Sequence, residues 1–148
     1  FISDFSQNWP TTSAVSLLAY LEEVDYQSSW PLWPGFSEKY VSDGGHSKVL
    51  STYVNQPALA AITGKKGAMS PNAIVVKENY TIEKEFQALT VMYKVEDYDP
   101  ENNDWFYLKV LPDGTVSHEG RHEGCQTCHR VRASNDFIWT GGPTSLSK

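Results

Sequence analysis

Four stretches in the middle of the chain show the apolar and polar patterns that are typical of β-strands. They are rich in Val, Ile, Thr and aromatic residues, which favour extended backbone. A polar turn sequence at 99–104 lies between the last two of these stretches, and another at 112–114 follows the last one. Neighbouring strands are therefore predicted to pair antiparallel. The predicted strands are residues 48–54, 73–80, 87–95 and 105–111.

Helices are predicted on the N-terminal side of this region and within it. Apolar residues at helical spacing indicate a helix from a cap at Thr11 or Thr12 to about Tyr26. A second, short helix opens at Pro57 and ends at Gly64. The apolar stripe of the first helix comprises Val15, Leu17, Leu18, Leu21 and Val24.

These elements predict a single α+β domain over residues 1–148, in which an antiparallel sheet carries flanking helices. Residues 30–35 place two tryptophans among prolines and a glycine, which predicts an ordered loop over an apolar surface. Residues 137–139 are predicted to return as a short closing strand. An irregular lead-in occupies 1–10 and a tail occupies 141–148.

Composition and charge exclude two classes of function. The 12 basic and 18 acidic residues give a net charge of −6 with no run of Lys or Arg, which argues against binding to a nucleic-acid backbone. No apolar stretch approaches the roughly 20 residues of a membrane-spanning helix. The 5 Trp, 8 Tyr and 6 Phe residues suggest a large planar group against which the core packs.

The only two cysteines, Cys125 and Cys128, are followed at once by His129. This C-x-x-C-H order is the attachment signature of c-type haem. The two thiols can add to the two haem vinyl groups as thioethers, and the adjacent imidazole then binds the iron. The sequence therefore predicts a covalently attached haem c near the C-terminus, at the beginning of the last helix, with His129 as the proximal iron ligand.

Three other roles for the two cysteines remain open. A redox-active pair normally follows an early strand at the start of a helix, whereas this pair lies late in the chain. A zinc site would recruit His118 and His122, but its four ligands would fall within eleven residues and lack the usual long spacer. A disulfide across so short a loop would stabilise little.

Haem c is attached outside the cytoplasm of bacteria, so the motif predicts a periplasmic or secreted protein. The chain begins at Phe1 without Met, which is consistent with a removed signal peptide.

Five segments, of which the fourth contains the haem motif, follow one another along the chain: 51–55, 72–78, 105–107, 120–129 and 135–138. A strand-rich body with a late C-x-x-C-H, together with a Val-Val-Lys-Glu strand at this separation, resembles the cytochrome P-460 family and its cytochrome c′-beta relatives. The resemblance runs from about residue 48 to 139. The haem peptide alone is generic, and its pairing with the Val-Val-Lys-Glu strand makes the resemblance specific.

The resemblance implies a covalent bond between the side-chain nitrogen of Lys77 and a haem meso carbon. It also implies a five-coordinate iron that oxidises hydroxylamine or binds nitric oxide, an external cytochrome as electron acceptor, and a homodimer. Relatives of the c′-beta type keep the haem fold without the lysine bond. From the residues alone, Lys77 is a strand-end lysine that extends to water.

The chain departs from this family in one respect. A distal carboxylate is expected on the strand after the lysine strand, but residues 88–94 contain no Asp or Glu, and Glu85 and Glu96 lie at its ends. Sliding either inward would reverse the faces of the strand. Thr90 and Met92 share one face, so Met92 is predicted either to cap an open iron site or to be its sixth ligand.

Other side chains are candidates for contact with the haem, although each is also compatible with an ordinary surface or core position. Three histidines are candidates for a second axial ligand: His46, His118 and His122. Three arginines near the haem peptide match the haem propionates: Arg121, Arg130 and Arg132. Four aromatic residues are candidates for the haem wall: Trp30, Trp33, Phe106 and Trp139.

The sequence therefore predicts an exported monohaem c-type cytochrome that performs redox chemistry on hydroxylamine or nitric oxide and passes electrons to a partner cytochrome. The alternative is a non-catalytic cytochrome that transfers electrons or binds a gas. Whether the protein is an enzyme stays open at this stage.

Overall fold

The computed structural model describes residues 8–42 and 45–148. Within these residues, six strands form one antiparallel sheet in chain order. They are β1 (Tyr40–Val41), β2 (Val49–Val54), β3 (Ile74–Tyr80), β4 (Phe86–Lys94), β5 (Trp105–Val110) and β6 (Val116–Gly120). The four helices of the same residues are α1 (Ala14–Val24), α2 (Tyr26–Ser29), α3 (Gln56–Thr63) and α4 (Glu123–Arg130). The prediction of a single α+β domain with an antiparallel sheet is confirmed.

The four predicted strands are present as β2 to β5, and β1 and β6 were missed. The predicted closing strand at 137–139 is wrong, because Asp136 and Phe137 both have left-handed backbone, with φ of 52° and 65°. Extended backbone cannot continue through two such residues. Most of the predicted lead-in lies outside the described residues, as do Asp43 and Gly44.

Helix α1 begins one residue later than its pattern indicated. Its cap is Ser13, not Thr11 or Thr12, and the Ser13 hydroxyl accepts the backbone N–H of Ser16 at 3.2 Å. Its apolar face against the sheet consists of Ala14, Leu17 and Leu21. Val15 is 82% exposed and does not belong to that face. None of the described helices is long and apolar enough to cross a membrane.

The two faces of the sheet carry separate apolar clusters. Helix α1 covers one face, where Val91 and Tyr93 of β4 are buried. Met92 points to the opposite face and packs against a second cluster that includes Trp105 and Phe137. The predicted alternation along β4 is therefore confirmed. The second face is the one that also carries the haem-attachment sequence.

The segments that complete the second face have little regular structure. Trp33, in the predicted loop at 30–35, is buried, and its N–H donates to the Thr52 carbonyl at 2.8 Å. The tail is packed against the body, because Leu146 is fully buried and its carbonyl accepts the N–H of Gly67 at 2.7 Å.

A buried carboxylate joins β4 to the segment after α4. Asp136 accepts hydrogen bonds from the Lys94 ammonium at 2.8 Å, from the Asn103 amide at 2.9 Å and from the backbone N–H of Met69 at 2.7 Å. The Asp136 carbonyl also accepts the indole N–H of Trp105 at 3.0 Å. These four donors fix the backbone at Asp136 to the sheet.

Replacement of this carboxylate is predicted to be strongly destabilising. Asp136→Ala leaves the Lys94 ammonium, which is only 8% exposed as a residue, without its counter-charge. We expect the free energy of unfolding to fall by about 3–5 kcal/mol, measured by urea unfolding with tryptophan fluorescence. Glu83→Ala, in the exposed turn between β3 and β4, is the control and should leave the unfolding midpoint nearly unchanged. A loss of stability no larger than that of the control would contradict this assignment.

Candidate functional site

A cavity of about 770 Å³ lies between the second face of the sheet and helix α4. Strands β3, β4 and β5 form its floor, and α4 with residues 139–142 forms the opposite wall. Ser42, Gly45 and His46, after β1, line a further side. Among the lining residues are Phe36, His46, Lys77, Thr90, Met92, Tyr107, Lys109, His118, Cys125, Cys128, His129, Arg132 and Trp139.

Helix α4 carries the three residues of the haem signature into this cavity. The helix begins after His122 and has Glu123 in its first turn, where a negative charge is favourable. Cys125 and Cys128 are three residues apart, so one helical turn places both thiols on the cavity side. Both cysteines are free, and burial raises the pKa of Cys125, which keeps this thiol protonated at pH 7.

His129 is buried with one ring nitrogen already bonded. Its Nδ1 donates to the Phe137 carbonyl at 2.8 Å, since a carbonyl can only accept. This bond fixes the tautomer and leaves the lone pair of Nε2 available. Burial lowers the pKa of His129, against the opposing effect of the Phe137 carbonyl, so the ring is neutral at pH 7. A neutral, oriented imidazole is what an iron site requires.

Lys77 of β3 reaches the same cavity from the sheet. It pairs with Thr90 in the antiparallel register and lies on the cavity face. Burial lowers the pKa of Lys77 to about 8. About a tenth of its amines are therefore uncharged at pH 7, compared with about three in ten thousand for an ordinary lysine. The sequence-based picture of a lysine extended to water does not describe its position.

The other predicted contacts separate into two groups. Met92, His46 and Arg132 line the cavity. Arg121 and Arg130 lie outside it: the guanidinium of Arg121 stacks 4.6 Å from the ring of Tyr98, and Arg130 donates to the Asn102 side chain at 2.8 Å. Arg132 stacks 4.1 Å from the ring of Trp139, whose indole N–H donates to the Cys128 carbonyl.

Of the predicted aromatic wall, Trp139 lines the cavity, and Trp33 packs in the apolar cluster beneath it. Trp30 and Phe106 belong to the cluster on the other face of the sheet.

Sequence reasoning missed Tyr107, Lys109 and Phe36, which also line the cavity. Strand alternation could have identified the first two. Tyr107 pairs with Met92, and Lys109 pairs with Thr90, so the register of β4 and β5 assigns them to the cavity face. Phe36 follows a proline-rich loop, and no periodicity indicates its direction.

His46 is an exposed residue that lines the cavity. Its ring centre is 6.1 Å from that of His129. Partial desolvation, followed by the positive charge of Lys77, lowers the pKa of His46, so its ring is neutral at pH 7. His118 has a different environment, since its ring lies 4.0 Å from the ring of His122.

The cavity fits a haem in size and in chemistry. Its volume lies within the range of about 300–1,000 Å³ that is typical of cofactor sites. The Tyr107 hydroxyl is buried without a hydrogen-bond partner beside this cavity, which indicates a further group as its natural partner. Met92 and Phe36 offer apolar contacts, and Lys109 and Arg132 offer positive charge to carboxylates.

The geometry gives no support to a zinc site at the two cysteines. Among the described residues, no three His, Cys, Asp or Glu side chains converge in a way that could hold a metal ion. His118 and His122 contact each other, while Cys125 and Cys128 line the cavity as separate thiols.

Comparison with known protein families identifies the fold that surrounds this cavity. The family model described as Cytochrome P460 matches residues 28–140, which contain all six strands and helix α4. The chain belongs to the cytochrome P460 family. Membership implies a c-type haem cytochrome, so the cofactor of this cytochrome P460 is haem and its metal is iron. None of the curated proteins matches the sequence.

The lowered pKa of Lys77 predicts a pH-dependent stability of the haem-free chain. The folded state binds fewer protons than the unfolded state between about pH 8 and 10.5, so this destabilising effect is full below pH 8 and fades as pH rises. Because the amine is partly open to the cavity, we expect Lys77→Met to raise the free energy of unfolding at pH 7 by about 2 kcal/mol, and by little at pH 10.5.

Urea unfolding at several pH values between 7 and about 10.5 measures this effect. Lys48→Met, at an exposed position beside β2, is the control and should show no such trend. Equal effects of Lys77→Met at both ends of the pH range would contradict the buried amine.

Proposed function

We propose that this cytochrome P460 binds its haem through thioethers at Cys125 and Cys128, with His129 as the proximal iron ligand. The observation that carries this proposal is that one cavity collects both thiols and the free nitrogen of His129. In each thioether, the sulfur bonds to one vinyl carbon and the thiol hydrogen moves to the other, so no oxidant is consumed. When bound, the haem supplies one-electron redox chemistry and a coordination site for a small ligand.

The chain's own residues orient the haem and shield it from water. His129 holds the proximal side because its Nδ1 is committed to the Phe137 carbonyl. Arg132 provides a fork of N–H donors suited to a propionate carboxylate. Met92 and Phe36 supply apolar walls, and the Tyr107 hydroxyl supplies one hydrogen-bond donor.

We also propose a third covalent bond, between Lys77 Nζ and a haem meso carbon. The family resemblance suggests it, and the partly uncharged amine in the cavity supports it, since only the free base is a nucleophile. The new C–N bond replaces one N–H and one C–H bond, and it releases two protons and two electrons. Its formation during maturation therefore requires a two-electron oxidant, such as a peroxide.

The function that we infer is redox chemistry on a small nitrogen species, hydroxylamine or nitric oxide, in a protein exported from the cytoplasm. Electrons would pass to a partner cytochrome. The family resemblance supports this inference, together with a cavity that brings Lys77 and His129 to one place.

One observation favours the second candidate, a non-catalytic cytochrome that binds a gas or transfers electrons. No Asp or Glu of the described residues lines the cavity. Oxidation of hydroxylamine releases protons, which a nearby carboxylate would accept. Binding of nitric oxide needs no such base.

Intact-mass spectrometry tests the covalent bonds. We expect the polypeptide mass plus one haem, less two hydrogens for the Lys77 bond. Lys77→Leu should retain the haem, regain the two hydrogens and show the ferrous absorption spectrum of an ordinary c-type cytochrome. Lys109→Leu removes another cavity lysine and should keep the two-hydrogen deficit.

Two results would overturn these assignments. A protein without a haem adduct would reject the thioethers and the function together. Complete release of the haem after chemical cleavage of the thioethers would reject the Lys77 bond alone.

Anaerobic addition of hydroxylamine with a redox dye as acceptor tests the reaction. We expect slow reduction of the dye by the wild-type protein. Met92→Glu places a carboxylate on the cavity face of β4, and we expect it to raise the rate about tenfold or more. Met92→Gln has the same size without the charge and should not raise it. Binding of nitric oxide with no dye reduction by either the wild type or Met92→Glu would favour the second candidate.

A further inference from the structure

The loop that carries His46 lies against the haem-attachment helix. A Cβ atom added at Gly45 would lie 3.8 Å from the sulfur of Cys128, so the backbone of this loop passes close to α4. His46, the next residue, lines the same cavity as His129 and Lys77. The loop therefore delivers an imidazole to the place where the haem would be attached.

The separation of His46 and His129 matches that of two axial ligands. With metal–nitrogen bonds of about 2 Å and about 1 Å from nitrogen to ring centre, imidazoles on opposite sides of one metal have centres about 6 Å apart. The observed separation is 6.1 Å. The angle of 58° between the rings is compatible with this arrangement, because each axial ring can rotate about its own metal–nitrogen bond.

His46 is also the cavity histidine without another partner. His129 uses its Nδ1 on the Phe137 carbonyl, and His118 shares a hydrogen bond of 2.8 Å with the Ser117 hydroxyl. Among the described residues, His46 makes no hydrogen bond to another side chain or to the backbone. A neutral imidazole with no hydrogen-bond partner is a good ligand for iron.

Met92 is the competing residue for the same role, but its surroundings explain its position. It packs against the apolar cluster beneath the cavity, in the row of β3, β4 and β5 residues that ends at Tyr107. Burial in an apolar cluster accounts for a methionine without a metal. His46 is exposed, so burial in an apolar cluster does not account for its position.

We propose that His46 is the axial ligand opposite His129 when no external ligand is bound, and that a small nitrogen ligand binds by displacing it. This inference rests on the proposed attachment of haem at Cys125 and Cys128. A lone pair of the neutral His46 ring forms the bond to iron, so no proton or electron is transferred. The iron is then six-coordinate at rest, and the open site appears only when His46 leaves.

The spin state of the iron in the purified holoprotein tests this proposal. We expect the wild-type ferric protein to be low-spin by electron paramagnetic resonance. His46→Ala and His46→Gln should both become high-spin while retaining one haem by intact mass. His118→Ala removes another cavity histidine, and Met92→Leu removes the competing sulfur, and both should stay low-spin.

Stopped-flow mixing of the ferrous protein with nitric oxide gives a second readout. In the wild type, the binding rate should level off at high nitric oxide, because departure of His46 becomes limiting. In both His46 variants the binding rate should rise linearly with the nitric oxide concentration. It should exceed the wild-type rate by about tenfold or more, because no side chain has to leave the iron before nitric oxide binds. Two His46 variants guard against a change that merely disturbs the loop.

Failure of the proposed role of His46 can be distinguished from failure of the proposed haem attachment. A wild-type protein that carries one haem but is high-spin would overturn the role of His46 and leave the attachment intact. Conversion to high spin by Met92→Leu, with His46→Ala and His46→Gln remaining low-spin, would overturn it in favour of the methionine. A protein without a haem adduct would overturn both the attachment and the role of His46.

Discussion

The site depends on one hydrogen bond, from His129 Nδ1 to the Phe137 carbonyl at 2.8 Å. It selects the tautomer and direction of the ring, and with them the nitrogen that is free for iron. Phe137 can present its carbonyl only because it and Asp136 both adopt left-handed backbone, which costs roughly 1 kcal/mol or more at each non-glycine residue. The buried contacts of Asp136 with Lys94 and Asn103 offset this strain.

The side chain of Asn135 is a second anchor, and it holds the cavity wall formed by residues 139–142. Asn135 is fully buried, and its amide donates to the Ile138 carbonyl at 2.9 Å while its oxygen accepts the N–H of Leu146 at 3.0 Å. Residues 139–142 lie between these contacts and line the cavity. Asp136 therefore fixes the segment beside His129 to the sheet, and the adjacent Asn135 fixes the far wall to that segment.

The sequence predicted the elements that follow a simple period, and it missed those that depend on tertiary contacts. The alternation in β4 correctly placed Met92 on one face and Val91 on the other. Strand β6 was missed because Val-Ser-His-Glu-Gly is mostly polar and exposed, so only pairing with β5 identifies it. The closing strand at 137–139 failed because the left-handed backbone at Asp136 comes from its buried partners, which no local pattern encodes.

In the candidate site, too, the sequence predicted what depends on local spacing and not what depends on tertiary contacts. The C-x-x-C-H motif predicted a joint role for three residues of α4, and the structure places all three at one cavity, because their chemistry requires only local spacing. Arg121 and Arg130 are close to this motif in the chain, but their partners in the structure, Tyr98 and Asn102, are not among the residues that line the cavity.

Partial desolvation of the basic side chains that line the cavity explains why they can donate lone pairs. The chain carries a net charge of −6, yet its cavity is lined by Lys77, His46 and His129 and by no carboxylate of the described residues. Without a negative partner, desolvation lowers the pKa of all three groups. Each then spends more time uncharged, with a nitrogen lone pair free to bond to carbon or to iron. An added carboxylate would reverse this effect by favouring the charged forms. The lack of a carboxylate among the described lining residues, which weakens proton uptake, therefore favours the proposed bonds of these groups to the haem.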